Sequence, residues 1–175
     1  MKTTLVCKLL PTRKQAKSLL AVIERYNRAC DAVAGVASHM RITKRSKLRE
    51  LFFWDVREGY GLPARMALHA IDSVAKALRH DPSAKPCFLL YGAVPYDHRT
   101  LSWRGRDRVS IQTLYERLLI PVVFRGNDEA WSKLMRGPVH LVCSDYDEFY
   151  LIGETDVPDP PTADSHGASE SRGRS

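Results

Sequence analysis

Apolar residues recur at helical spacing through the first half of the chain and at alternate positions through the second, and the period changes near Pro86. Residues 3–10 begin with β-branched and apolar types and close at Pro11, which predicts a strand. A helix follows at once. Thr12 with Gln15 fits a capping box, and Leu19, Ile23, Tyr26, Cys30, Val33 and Ala37 then fall on one face. A second apolar stripe, Leu48, Leu51, Phe52 and Val56, ends at Gly61, a residue suited to the left-handed turn that closes helices. Pro63 then suits the first turn of a third helix, whose stripe is Ala64, Ala67, Leu68, Ile71, Val74, Ala75 and Leu78, ending before Pro82.

Beyond Pro86, short β-rich stretches are expected at 87–91, 100–103, 107–114, 117–124, 138–143 and 148–155, separated by Gly, Asp, Asn and Pro. The last two flank Asp145-Tyr146-Asp147 and read as a hairpin. Asn127 is placed to cap a short helix through Met135. Because one strand precedes the helices and the others follow them, the economical α+β topology is a β-barrel with a three-helix bundle inserted. The boundaries are 1–12 for the first strand, 13–82 for the bundle, 83–158 for the rest of the barrel and 159–175 for a tail. That tail lacks Val, Leu, Ile, Phe, Tyr and Trp and is expected to be disordered. Small barrels of this kind often serve oligonucleotide binding.

Charge sharpens the picture. The formal net charge is +7, and residues 1–82 hold all of the surplus, with 16 Lys/Arg against 7 Asp/Glu, whereas 83–158 hold 9 against 10. Such an excess favours an anionic partner. The cysteines, Cys7, Cys30, Cys87 and Cys143, are far apart, form no metal-ligand spacing and read as reduced, mostly buried small hydrophobes. No apolar run approaches membrane-span length and the N-terminus lacks a signal-peptide core, so a cytoplasmic protein with no membrane partner is expected.

Three surfaces could carry chemistry. Arg41, Lys44, Arg45, Lys47 and Arg49 form a basic run that reads either as a phosphate-contacting patch or as a solvated helix start. On the third helix Arg65, His69, Ser73 and Lys76 lie opposite the apolar stripe, where an Arg fork could meet a base edge or phosphate, or form ordinary polar surface. Trp103, Arg104, Arg106 and Arg108 interleave an aromatic with guanidinium groups around Gly105, with Tyr96 and His98 upstream. That is a stacking platform with backbone clamps, or else a core tryptophan beside a hairpin tip. Asp145, Asp147 and Glu148 read as solvated turn acids rather than metal ligands, and no nucleotide-binding loop, nucleophile elbow or zinc-protease motif is present. No cofactor is expected.

The chain resembles the TnpB/OrfB family of transposon proteins, relatives of type V CRISPR effectors. The resemblance spans about residues 1–158. It is carried by Leu9-Leu10-Pro11-Thr12 with Gln15, Arg25-Tyr26-Asn27-Arg28-Ala29-Cys30-Asp31, Gly61-Leu62-Pro63-Ala64, Lys85-Pro86-Cys87-Phe88, Arg108-Val109-Ser110-Ile111-Gln112-Thr113-Leu114 and Phe149-Tyr150-Leu151-Ile152-Gly153. It implies a split β-barrel of oligonucleotide-binding wedge type, an inserted helical recognition domain, and binding to a guide RNA from the transposon end and to double-stranded DNA flanking the target. Arg65, His69 and Tyr96 would be among the contacts. Family members continue after a Val-Pro-x-Pro-Pro stretch, here Val157 to Pro161, into a metal-dependent nuclease domain, whereas this sequence runs into the polar tail. The resemblance thus implies a binding protein that lacks the divalent-metal nuclease site. The alternative is a transposon remnant or protein-interaction fragment with no nucleic-acid role.

Overall fold

The computed structural model describes residues 2–145 and 147–156, and the expected tail at 159–175 lies outside the described residues. In chain order the elements are β1 (Lys2–Leu9), α1 (Arg13–Met40), α2 (Arg45–Tyr60), α3 (Ala64–His80), β2 (Val94–Tyr96), β3 (Leu101–Arg104), β4 (Arg108–Gln112), β5 (Arg117–Phe124), α4 (Asp128–Arg136), β6 (Val139–Cys143) and β7 (Phe149–Asp156). The architecture is α+β.

α1 begins as its capping box requires: Thr12 Oγ1 accepts from the Gln15 N–H at 3.2 Å, and Gln15 Oε1 accepts from the Thr12 N–H at 3.0 Å. Its whole expected stripe is buried. Arg41, in the left-handed region at φ 55°, ends it, and its N–H is bonded to the carbonyls of Ala37 and Ser38. Gly61 at φ 65° ends α2, where glycine meets no Cβ penalty. α3 buries Met66, Ala67, Ala70, Ile71, Val74, Ala75 and Leu78. Its expected stripe is corrected at Ala64 and Leu68, which are only half-buried, and Leu51 on α2 is exposed rather than in the core.

All seven strands join one antiparallel sheet in the order β2-β6-β7-β1-β5-β4-β3. β1 occupies its centre, with Cys7 opposite Leu151 on β7 and Phe124 on β5. The opening strand thus depends on partners more than a hundred residues away. The two edge strands, β2 and β3, are consecutive in the chain, so the sheet curls until its edges face each other. Across that gap Tyr96 Oη donates to the Gln112 carbonyl at 2.8 Å. Alternation sets the inward face: Ile120 and Val122 on β5 are buried while Leu119, Pro121 and Val123 face out. Asn127 caps α4 by accepting from the Ala130 N–H at 2.8 Å, and Trp131 and Leu134 point into the core.

The strand expected at 87–91 is absent; the short strand β2 comes later, at Val94–Tyr96. The segment before it lies along α1, whose side chains take the place of a neighbouring strand. Buried Asn27 Nδ2 donates to the carbonyls of Gly92 at 2.9 Å and Leu90 at 3.3 Å, and Asp31 accepts from the Phe88 N–H at 3.4 Å. Cys87 on this segment is exposed, against expectation, while Cys7 and Cys30 are buried. Burial pushes the Cys7 thiol up to about 11 and the Cys30 thiol up to about 12, so both stay protonated at neutral pH.

Candidate nucleic-acid interface

The basic run divides at the first turn of α2. Arg41, Lys44, Arg45 and Lys47 are exposed; Arg41, Lys44 and Lys47 line a concavity that Ile42, Thr43, Ser46 and Glu50 complete, and Arg45 opens α2 beside it. Lys44 is the N-cap residue and supplies no side-chain cap, and no acid occupies the first turn. The free N–H groups at this end therefore add their partial positive charge to four cationic side chains. Among the described residues, Lys47 alone of the four has an acid in reach, Glu50 at 3.7 Å, an exposed contact of little worth. Arg49 behaves differently. It forks onto Asp72 of α3, with Nε 2.8 Å from Oδ1, and staples α2 to α3.

On α3 the expected polar face is taken up internally. Arg65 Nε and His69 Nε2 both lie 2.9 Å from Asp97 Oδ2, in the turn between β2 and β3. Ser73 Oγ is 2.7 Å from Tyr26 Oη, which also donates to the His69 carbonyl. Ser73 is therefore tied to α1 and only half-buried. Burial alone would raise the Asp97 carboxyl, but Arg65, the backbone N–H groups of Arg99 and Thr100, and His69 together hold it well below the usual carboxylate range. Lys76 remains exposed, beside a cleft that His69, Ser73, Pro95 and His140 also line.

The barrel residues also separate. Tyr96 is 2% exposed, so its ring belongs to the core and offers no stacking face. Trp103 is half-buried and meets Trp131 edge-on, with centroids 5.0 Å apart at 71°. It packs on the core and keeps one side toward a cleft. Arg106 lies 5.6 Å from the Trp131 ring centroid and pairs with Asp128 on α4, so the hairpin tip lies against that helix. Arg104 and Arg108, paired across the hairpin that turns at Gly105 (φ 70°), are exposed.

Asp97 and Arg136 escaped the sequence reading. Asp97 makes its bonds to residues 28 and 32 positions away, and Arg136 ends a helix whose docking no local pattern reveals. In the β6–β7 turn, Asp145 and Asp147 are exposed while Glu148 is bound by the Tyr150 hydroxyl and by Lys8 Nζ at 3.2 Å. Among the described residues no group of three or more His, Cys, Asp or Glu is placed to hold a metal ion, and no helix is long and apolar enough to cross a membrane. No protein-family model matches the chain, and a search of curated proteins finds no significant match.

Proposed function

We propose that this chain binds nucleic acid without cutting it, gripping the phosphate backbone through the start of α2. The carrying observation is the cluster of Arg41, Lys44, Arg45 and Lys47 around an uncapped helix N-terminus. Four exposed cations beside an uncapped helix start suit several phosphates at once, and each contact releases counterions. In this reading the sheet is an oligonucleotide-binding barrel of wedge type, residues 13–82 are the recognition domain inserted into it, and the chain is a relative of the TnpB/OrfB transposon proteins. Its partners are then a guide RNA from the transposon end and the DNA flanking the target. Arg104, Arg108 and Lys76 extend the cationic surface, whereas Arg49, Arg65, His69 and Arg106 serve the grip by holding its framework.

Filter binding with transposon-end RNA over a salt series tests the proposal. Affinity should fall steeply with salt and exceed that for bulk tRNA at physiological ionic strength. Replacing Arg41, Lys44, Arg45 and Lys47 together by alanine should lower the log–log salt slope by roughly 3 for a single strand. A slope unmoved by that change, or equal affinity for tRNA, overturns the proposal. A second reading, a protein-docking module, draws on the outward sheet face where Val6, Leu10, Leu119 and Val123 are 40–47% exposed. Concentration-dependent self-association that Val123→Lys abolishes would favour it.

A further inference from the structure

Between the facing edges β2 and β3 lies a cleft of about 420 Å³, within the usual range for a small-molecule site. Its walls are apolar at Leu101, Trp103, Met135 and Val139, and its rim carries His98 and Arg136. We propose that this seam takes an unpaired nucleobase of a single-stranded segment, which stacks on Trp103 while Arg136 and His98 hold the flanking phosphates. The inference rests on the nucleic-acid reading above and adds to it the strand type and the place where a base is held.

Three features of the seam support this occupant. Trp103 is braced edge-on by Trp131, so its ring is already ordered and loses little freedom when a base stacks on it. The rim is cationic: Arg136 is exposed and forms no ion pair among the described residues, and the exposed Arg104 follows Trp103 directly. The one acid lining the cleft, Asp97, is already engaged by Arg65 and His69, so its charge is compensated and does not oppose a phosphate. A peptide strand adding to the sheet edge fits less well, since β2 has three residues and β3 four, lengths that protect an edge from augmentation.

Fluorescence anisotropy with a short labelled oligouridylate and with an abasic oligomer of the same backbone isolates the base. The wild-type chain should bind the intact oligomer at least about fivefold more tightly, the low end of one stacked base. Met135→Glu, which exchanges an apolar wall residue for a carboxylate at a 45% exposed position, should erase that preference. Arg136→Ala should weaken both oligomers alike and lower the salt slope by about 0.7. If Met135→Glu proves unfolded by thermal melt, Trp103→Leu, which keeps an apolar side chain but removes the stacking ring at a half-buried position, gives the same reading. Equal affinity for intact and abasic oligomers, with salt-dependent binding retained, overturns the seam site and leaves the phosphate grip standing. No binding of either oligomer at low salt overturns both.

Discussion

Asp97 shows how one side chain joins the two halves of the molecule. Its Oδ2 receives Arg65 and His69 from α3, while its Oδ1 receives the N–H groups of Arg99 and Thr100 and so shapes the turn between the edge strands. Charge-assisted bonds of this kind are worth about 2 kcal/mol together once their partners are considered. Asp97→Asn should therefore lower the melting temperature by roughly 4–8 °C at pH 7. The depressed carboxyl gives the sign of the pH effect. Its stabilisation is complete above the unfolded value, about 3.9, and is lost as pH falls through the lower folded value. Melts of wild type and variant should thus converge as the buffer is taken from pH 7 to below about pH 4, and a gap constant with pH would refute the latch. Arg65 and His69 could be recognised in sequence as one polar helix face. Their acceptor could not, because only the folded chain brings the β2–β3 turn against α3.

At the scale of elements, local signals with a local cause read directly. The capping box, the buried stripe of α1, Gly61 at the end of α2 and Asn127 before α4 all depend on residues within one or two turns, and each stands where sequence placed it. Thr12→Ala should cost about 1 kcal/mol in urea unfolding. The segment 87–91 shows where such reading stops. Its β-rich composition suits a strand, yet a strand needs a neighbour, and here α1 supplies the partners through Asn27 and Asp31. Gly92 permits the approach, since a Cβ there would come within 3.2 Å of Asn27 Oδ1. Asn27→Ala removes the donor and leaves two carbonyls to find water from a half-buried position, at a cost of about 2 kcal/mol. A urea midpoint unchanged from wild type would show that this segment is held by something else. Among the fourteen basic and aromatic positions singled out in the sequence, burial and pairing decided which face solvent, and neither quantity is readable from spacing alone.

For the whole molecule, the question is whether a basic helical half and a near-neutral sheet half behave as one body. Sequence gave grounds for expecting β1 to join the later strands, because an isolated opening strand has nothing else to pair with. The strand order, the seam and the position of α4 needed the pairing itself. The buried residues form one cluster from Leu19 and Ile71 in the helices to Ile111 and Leu151 in the sheet, which ties helical packing to barrel closure. Heat or urea should then unfold the chain in one step. Circular dichroism at 222 nm, dominated by α1 to α3, and the fluorescence of Trp103 and Trp131, which report the barrel once Trp54, exposed on α2, is replaced by phenylalanine, should give coincident transitions. Tyr96→Phe tests the coupling further, since it deletes only the bond that Tyr96 Oη makes across the seam to Gln112. Loss of about 1 kcal/mol should move both probes by the same amount. Were the fluorescence transition to shift while the helical signal stayed in place, the helices and the barrel would be separate folding units, and the latch at Asp97 would be a contact between neighbours and not a strut of one core.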